Sequence, residues 1–359
     1  MVGYIARRCL ASLPLLIAVV LATFLLLYAL PGDATHALLG QHWSESEAAR
    51  IRKVHGLDDA LPVQFFHYVS DIAHGELGTS LVTNQPVASE LASRIPATIE
   101  LAVLAMLLAT LAGVSLGIVS ALKPRSWRDM FVLSVALAGV SLPVFLLGIF
   151  ATRLLQAGGW LSEVLPWFGG LDIGGRHSPA LRLAEAVSQH GGTGFYLYDT
   201  AVVFGDMHAF VDVLGHLLVP AIVLATIPAA LITRITRAAV GEAMQQDYIR
   251  TARAKGLSTG SVVVRHALRN ASIAIVTTTG TQFGYLLGGA VLTETIFNWP
   301  GLGTYMVRAI IIGDVRPLQG AILFVALGFI LINLAVDLSY ALLDPRVRRG
   351  ATQRRRAIR

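Results

Sequence analysis

The chain has little cysteine and little charge, and both shortages exclude classes of protein. Cys9 is the only cysteine among the 359 residues, so an internal disulfide and a cysteine-cluster metal site are excluded. Charged residues make up 14% of the chain and hydrophobic residues 55%. Too few polar side chains remain to cover a soluble globule of this length, so the composition predicts a membrane protein.

Lysine is also scarce, and the sequence contains no nucleotide-binding loop. Lys53, Lys123 and Lys255 are the only lysines and none follows a glycine, which rules out the phosphate-binding pattern G-x-x-x-x-G-K-[ST]. The zinc-protease pattern H-E-x-x-H does not occur either. We therefore expect no catalytic residue, cofactor or metal in this chain, and uphill transport would need energy from another chain.

One apparent catalytic motif has a simpler explanation. GVSLG, residues 113–117, matches the G-x-S-x-G nucleophile elbow, which requires a strand-to-helix turn. Here the motif lies inside an uninterrupted apolar run, where the spacing of Gly113 and Gly117 is typical of closely packed helices. We expect packing glycines there rather than a hydrolase site.

Apolar runs of about 20 residues, long enough to cross ~30 Å of hydrocarbon, recur along the chain. They predict an all-α polytopic membrane protein formed by one domain over residues 1–359. The six predicted transmembrane helices are Cys9–Leu30, Ile99–Leu122, Met130–Leu155, Val213–Thr233, Ile273–Leu292 and Leu318–Leu342. The first run is too long for the apolar core of a signal peptide, so we expect an uncleaved span.

The distribution of Lys and Arg predicts the orientation, because cytoplasmic loops of membrane proteins collect positive charge. Segments 123–129 and 240–272 and both termini are placed inside, and segments 31–98, 156–212 and 293–317 outside. Short helices are predicted within the first two outer segments. Their starting signals are the capping box Ser44–Glu47, Pro62 and Ser178–Pro179, and their stops are Gly56, Gly75 and Gly191.

The predicted spans contain few ionisable residues. Only His216 lies well inside one, whereas Glu294 and Asp337 lie near span ends. A proton-coupled pump normally keeps buried carboxylates or histidines as a relay, so this single histidine favours an interhelical hydrogen bond instead. Kinks typical of pathway-lining helices are predicted by three prolines in the third and fourth spans, Pro143, Pro220 and Pro228.

The basic segment 240–272 separates two apolar runs and favours two short helices. The first, GEAMQQDYIRTARAKG, ends at Gly256, and Ser258 can cap the second. A short amphipathic helix presented at a membrane face suits a groove in a partner protein. A loop that only carries positive charge to lipid headgroups fits the same composition, so both interpretations stay open on these residues alone.

Longer stretches resemble a known family. DYIRTARAKGL followed by RHALRNA resembles the EAA loop of permease subunits in binding-protein-dependent ABC importers. LPGD, GELGTSL, RIPATIEL, LTETIFNWPGLG and DLSYALLDPRVR extend the resemblance to the dipeptide, oligopeptide and nickel permease family, and TGFYLYDTAV with HLLVPAIVLATIP is most similar to dipeptide permeases. Two departures are Ala274, where the family usually has proline, and GEAM, a loose version of the acidic start of the loop.

The resemblance implies the type I ABC importer permease fold and a multi-pass subunit of a bacterial inner membrane. A second homologous permease subunit, two ATPase subunits that bind ATP and Mg, and a periplasmic substrate-binding protein are the implied partners. The implied solute is a dipeptide or short peptide. Nickel chelates, glutathione and haem remain alternative solutes, and a self-contained secondary transporter or channel is the alternative from another class.

The resemblance also implies functional residues. The coupling helix and its ATPase contacts would comprise Glu242, Ala243, Asp247, Tyr248, Ile249, Arg250, Thr251, Ala252, Arg253, Ala254, Lys255, Gly256 and Leu257. The pathway and its gate would include Ser141, Pro143, Gln282, Glu294, Asn298, Trp299, Pro300 and Gly301. Arg250, Arg253 and Lys255 would add charged contacts to the ATPase groove, although membrane topology alone explains these three charges equally well.

Overall fold

The apolar runs fold into long helices because backbone N–H and C=O groups in a membrane core need internal partners. A computed structural model of the chain describes residues 2–29, 44–46, 49, 59–80, 82–165 and 171–343. The helices are α1 (Val2–Ala29), α2 (Leu61–Ala73), α3 (Val87–Leu122), α4 (Trp127–Ser141), α5 (Val144–Leu155), α6 (Trp160–Val164), α7 (Leu183–His190), α8 (Tyr196–Tyr198), α9 (Met207–Ala243), α10 (Asp247–Ala254), α11 (Thr259–Val262), α12 (Leu268–Gly289), α13 (Val291–Ile296), α14 (Leu302–Ile312) and α15 (Val315–Leu343).

The helical membrane-type fold predicted from the sequence is confirmed. Within the described part of the chain, α3, α9 and the part of α15 from Val315 to Ser339 are each long and apolar enough to cross a membrane. The pair α4 and α5 would make a fourth span if the two helices are counted together, and α1 contains a shorter apolar stretch, Leu10–Leu26. The count of six spans stays a prediction.

Helices α3 and α9 form a central pair and run in the same direction. Gly113 faces Ile232, and Gly117, one turn later, faces Thr236. A Cβ atom on Gly117 would lie 2.6 Å from the Thr236 Cβ, closer than a packed interior tolerates. The predicted packing role of the two glycines is confirmed, and GVSLG lies inside a helix rather than at a strand-to-helix turn.

Helices α12 and α15 pack antiparallel through a second set of glycines. Gly280 faces Val336 near one end of the pair, and Gly288 faces Val325 near the other. Helix α1 runs antiparallel to α15, held by an ion pair toward one end and a hydrogen bond toward the other. The long helices thus run in both directions between two ends of the bundle.

The two ends of the bundle differ in the segments they carry. Helices α3 and α9 both run toward the end formed by residues 123–129 and 244–267. We call it the basic end because these two segments are rich in Lys and Arg. The opposite end is formed by residues 76–86, 171–206 and 291–314. Segments predicted to share one side of the membrane therefore lie at the same end.

Pro143 divides the predicted third span into two helices. Leu142 is extended, as the residue before a proline usually is, and α4 and α5 meet at 99°. The kink predicted at Pro143 is confirmed as a sharp bend, and the pair is either a broken span or a re-entrant loop. Pro220 and Pro228, in contrast, lie within the unbroken helix α9.

The first outer segment contains the short helix predicted there. Helix α2 has Pro62 in its first turn and ends before Gly75, whose φ is +82°. Glu47 and Gly56, predicted to belong to an earlier helix, lie outside the described residues, as does the basic tail after Leu343.

The second outer segment differs from its prediction. The helix predicted from Ser178 to Gly191 is interrupted at Arg182, which adopts a left-handed conformation between a 3-10 turn and α7. Ser178 makes no cap hydrogen bond, and its hydroxyl instead donates to Asp212 Oδ1 at 2.5 Å. The side chain that looked like a local cap instead ties this segment to α9.

Candidate functional site

The predicted coupling segment folds into a separate short helix at the basic end. Helix α9 ends at Ala243, a turn follows, and α10 begins after Gln246, which is extended. The chain leaves α10 at Gly256, whose φ of +79° favours glycine. Ser258 accepts a hydrogen bond from the Ser261 N–H and caps α11. The predicted stop and cap are confirmed, whereas the predicted single first helix is divided between α9 and α10.

The inner face of α10 packs against the ends of α3, α9 and α12. Ile249 is fully buried and Ala252 is 5% exposed. Both belong to a hydrophobic cluster that includes Ala121 of α3 and Val240 and Ala243 of α9. Because a packed interior transmits displacement, a force on α10 would act on the helix ends rather than be absorbed by a loop.

The outer face of α10 is exposed and mostly basic. The predicted contact residues that lie at the surface are Glu242, Asp247, Tyr248, Arg250, Thr251, Arg253, Ala254, Lys255, Gly256 and Leu257. Ala243, Ile249 and Ala252 are instead buried within this chain. These three members of the predicted contact set therefore pack against the bundle of this chain.

A concave notch of about 320 Å³ lies beside α10. Glu242, Gln246 and Asn270 are its polar lining residues, and the Asn270 amide also donates to the Tyr248 hydroxyl at 3.2 Å. Ala274, in the position where the resembled family usually has proline, lies within the continuous helix α12 and lines the same notch.

At the opposite end, residues 291–303 form a turn closed around Glu294. The carboxylate is fully buried and accepts hydrogen bonds from Thr98 Oγ1 at 2.6 Å and from the Thr304 N–H at 3.0 Å. Burial raises the pKa of Glu294, and these hydrogen bonds oppose the rise. The turn is thus joined to α3 through a carboxylate that solvent does not reach.

Trp299 and Gly301 complete the turn. Trp299 is fully buried, and its indole N–H donates to a backbone carbonyl of α3. Asn298 has a φ of +49°, a conformation that asparagine tolerates better than most residues. A Cβ on Gly301 would lie 2.5 Å from Thr98 Oγ1, so glycine alone fits there. Asn298 and Pro300 are exposed.

The other three predicted pathway residues lie elsewhere. Ser141 and Pro143 are exposed at the bend between α4 and α5, and Gln282 is half-buried in α12. Among the described residues, no hydrogen bond joins these side chains to the 291–303 turn. The residues predicted as a gate are therefore not one cluster within this chain.

A buried ion pair beside the turn escaped sequence reasoning. Arg176 Nη2 lies 2.5 Å from Glu100 Oε2, and both side chains are 5% exposed. The guanidinium also stacks over the Tyr196 ring at 3.7 Å, and Glu100 accepts a hydrogen bond from the Leu197 N–H at 2.8 Å. The pair fastens residues 171–206 to the start of α3. The sequence signal that could have indicated this ion pair was Glu100, an acidic residue at the beginning of the second predicted span.

His216 does not make the interhelical hydrogen bond that was predicted. Its Nδ1 lies 2.9 Å from the Asp212 carbonyl oxygen of the same helix, and its Nε2 lies 3.5 Å from Asp172 Oδ2. The histidine thus lies beside an adjacent loop of the opposite end.

One face of α12 carries hydroxyl groups, of which the threonine ones are half-buried. Thr277, Thr278 and Thr281 each donate to the carbonyl oxygen four residues earlier, at 2.6, 2.9 and 2.9 Å respectively. Tyr285 follows on the same face and is 62% exposed. A hydroxyl that donates within its own helix keeps lone pairs as acceptors, so this face can receive hydrogen bonds from a polar solute.

A membrane-type helix bundle with a rigidly held, exposed basic helix at one end defines a membrane protein suited to act with partners. The chain belongs to the binding-protein-dependent transport system inner membrane component family, which matches residues 113–349. The N-terminal region of such membrane components matches residues 1–102.

Individual relatives are similar over nearly their whole length. The dipeptide transport system permease protein DppB of Alkalihalophilus pseudofirmus is 42% identical over 97% of this chain and 100% of its own. The di/tripeptide transport system permease protein DppB of Pseudomonas aeruginosa is 42% identical over 97% and 99%. The glutathione transport system permease protein GsiC of Salmonella typhimurium is 34% identical over 97% and 99%. The family resemblance drawn from the motifs is confirmed.

Proposed function

We propose that this chain is one of two permease subunits of an ATP-driven importer that takes up dipeptides or other short peptides. The observation that carries the proposal is the construction of α10. Ile249 and Ala252 fix the helix to the bundle from inside, while its basic side is open to a partner. Relatives with 42% identity that are named for dipeptide or di/tripeptide transport support the substrate class.

The basic end is assigned to the cytoplasm. Short loops rich in Lys and Arg are retained on that side, and both segment 123–129 and α10 belong to this end. The N- and C-termini then face the cytoplasm as well. The opposite end faces the periplasm, where a substrate-binding protein delivers the solute to the segments 76–86, 171–206 and 291–314.

Two cytoplasmic ATPase subunits, which bind ATP and Mg, dock on α10 of this chain and on the matching helix of the second permease subunit. Arg250, Arg253 and Lys255 supply charged contacts, and the half-exposed Tyr248 and Leu257 supply apolar ones. Closure of the ATPases displaces α10. Because α10 is packed on α3 and α9, the displacement moves whole helices and alternates access between the two ends.

The solute crosses between the two permease subunits along the hydroxyl face of α12. Thr278, Thr281 and Tyr285 offer acceptors to peptide N–H groups without requiring a charged residue in the span. The turn around Glu294 and Trp299 closes the periplasmic end between transport events. Dipeptides fit such a face because each one offers a peptide N–H, whatever its side chains are.

Copurification tests the assembly. The tagged chain, extracted from native membranes in mild detergent, should bring with it a second permease subunit and two ATPases with phosphate-binding loops. A lone chain or homodimer that moves solute in liposomes without ATP would contradict the proposal in favour of a self-contained transporter.

Charge reversal tests the docking surface. Arg250→Glu combined with Arg253→Glu should remove most of the copurifying ATPase and leave the second permease subunit bound, because only the outer face of α10 changes. Arg182→Glu, a reversal at an exposed arginine of the opposite end, is the matched control. Full ATPase recovery with the double variant would show that these arginines serve topology alone.

Uptake by the assembled complex in proteoliposomes tests the solute. We expect ATP-dependent uptake of a labelled dipeptide that unlabelled di- and tripeptides compete for. Glutathione is the second candidate, because a relative with 34% identity is named for its transport. If the complex takes up glutathione but no dipeptides, the proposed substrate is wrong, whereas the proposed assembly of subunits still stands.

A further inference from the structure

A second ion pair, between the buried Asp129 and the partly exposed Arg237, lies at the basic end. Arg237 Nε donates to Asp129 Oδ1 at 2.6 Å and Arg237 Nη2 donates to Asp129 Oδ2 at 2.8 Å. Asp129 also accepts hydrogen bonds from the Ser120 hydroxyl and from the Arg125 N–H. The carboxylate, 3% exposed, is therefore compensated by a bidentate guanidinium and two further donors.

These four hydrogen bonds gather three helices at one point. Ser120 lies at the end of α3, Asp129 in the first turn of α4, and Arg237 in the last two turns of α9. Their neighbours Ala121 and Val240 belong to the hydrophobic cluster that holds α10. The ends of α3 and α9 therefore both support α10 and hold the start of α4.

Helix α4 is attached to the bundle by this ion pair and by packing against α3 and α9. Within the described part of the chain, only Asp129 and Val132 of the 15 residues of α4 are buried. Met130, Phe131 and other apolar side chains of α4 are exposed. Without the ion pair, only Val132 and half-buried positions such as Gly139, which lies beside Thr226 of α9, would hold α4 to the bundle.

Helix α4 also leads, through the bend at Pro143, to the turn that closes the opposite end. Val144 and Leu147 of α5 pack against a cluster that contains Phe297, a fully buried residue of the 291–303 turn. A Cβ on Gly148 of α5 would lie within 3.5 Å of the Phe297 ring. Packed contacts therefore run from the support of α10, through Asp129 and α4, to the 291–303 turn.

We propose that Asp129 and Arg237 are positioning residues that transmit movement of α10 to the 291–303 turn at the opposite end. The inference rests on the proposed function, because it presupposes that a partner ATPase displaces α10. With the ion pair in place, α4 follows α9 and carries α5 with it. Without the pair, α9 and α10 move while α4 and α5 lag, so ATP is hydrolysed without opening the opposite end.

The test compares variants of the assembled complex, with its ATPases and binding protein, in liposomes. The variants are Asp129→Asn, Arg237→Gln, their double variant, and Arg237→Lys, which keeps the charge but loses the bidentate geometry. Arg128→Gln, at an exposed arginine beside Asp129, is the matched control. Basal ATPase activity, its stimulation by peptide-loaded binding protein, and peptide uptake are each measured per assembled complex.

We expect each neutral variant to keep basal ATPase activity within about twofold and to lose stimulation and uptake by about tenfold. The double variant should lose no more than the worse single variant, since both remove one shared interaction. Arg237→Lys should recover part of the uptake, and Arg128→Gln should behave as the native chain. Additive losses, or uptake that falls only in proportion to assembled complex, would overturn the inference.

A second measurement separates this inference from the proposed function. With Cys9 replaced by Ser, spin labels at Phe131→Cys on α4 and Glu242→Cys on α9 should give a narrow distance distribution that broadens in Asp129→Asn. An equally narrow distribution in the variant would overturn the inference, whatever the chain transports. Failure of the proposed function would instead appear as absence of ATP-driven uptake by the native and Arg128→Gln complexes.

Discussion

Trp299 donates its indole N–H to the carbonyl oxygen of Ala97 at 2.9 Å, joining residues 202 positions apart in the chain. Both residues are fully buried, so water cannot replace either partner. The bond fixes the 291–303 turn to the first third of α3, where the Glu294 carboxylate holds it a second time through Thr98. The turn is thus held to α3 by two long-range polar contacts inside an apolar surrounding.

Trp299→Phe should destabilise the chain by about 1–3 kcal/mol, because the ring still fills most of the site while the Ala97 carbonyl loses its donor. Thermal unfolding of the purified protein in detergent measures the effect. Trp160→Phe, at a tryptophan that is 59% exposed, should leave the transition unchanged. Equal shifts for the two variants would show that the indole hydrogen bond contributes nothing.

Gly301→Ala should destabilise the chain by about 1–3 kcal/mol, because the added methyl overpacks the turn. Its Cβ would press on the Glu294 carboxylate and lie 2.5 Å from Thr98 Oγ1. Gly215→Ala in α9 is the control, since no neighbouring atom lies within 4 Å of the position that its Cβ would occupy. That substitution should be neutral or stabilising by up to about 1 kcal/mol through helix propensity. Unfolding temperatures with the opposite order would contradict the packing account.

Removing either partner of the Glu100–Arg176 pair should cost about 3–5 kcal/mol, because the remaining charge is left buried. Glu100→Gln and Arg176→Gln test this by thermal unfolding, and the double variant should cost less than the sum of the two. The exposed pair Arg182–Glu185, whose side chains are 76% and 63% exposed, is the comparison. Its disruption should change stability by at most about 1 kcal/mol, and a similar loss at both pairs would refute the role of burial.

The pH dependence of stability should reflect Glu294. Burial raises the pKa of this carboxyl above its ordinary value of 4.5. A group whose pKa rises on folding adds stability that is fully present below the unfolded pKa and is lost as pH rises through the folded pKa. Stability relative to Glu294→Gln, which does not titrate, should therefore fall as pH increases from about 4.5. If unfolding scans show that the stability difference between the native chain and Glu294→Gln is constant or grows with pH, this expectation is contradicted.

The local signals in the sequence were reliable where a single residue sets the backbone. Gly256 ends α10, Ser258 caps α11, Pro62 opens α2, and Pro143 interrupts the third apolar run. Each of these follows from a φ preference or a cap, which neighbouring residues hardly alter. Ser178 does not cap a helix, and both its N–H and its hydroxyl donate to the distant carboxylate of Asp212.

The faces of α10 could not be predicted in the same way. Alanines and an isoleucine at helical spacing indicate a buried face, but they do not say whether this chain or a partner covers it. The structure assigns Ile249 and Ala252 to the interior because the ends of α3 and α9 provide a complementary apolar surface. The basic side chains are left as the face that a partner can reach.

The sequence by itself determined a helical membrane protein, the sorting of its basic segments to one end, and a family whose motifs extend along the chain. Apolar run length, charge and local caps suffice for these, because each acts over a few neighbouring residues. Only the tertiary structure decided the 99° bend, the closed turn around Trp299 and the ion pairs Glu100–Arg176 and Asp129–Arg237. These depend on which helix ends meet in space, and a buried charge finds its partner through that packing rather than through its neighbours in sequence.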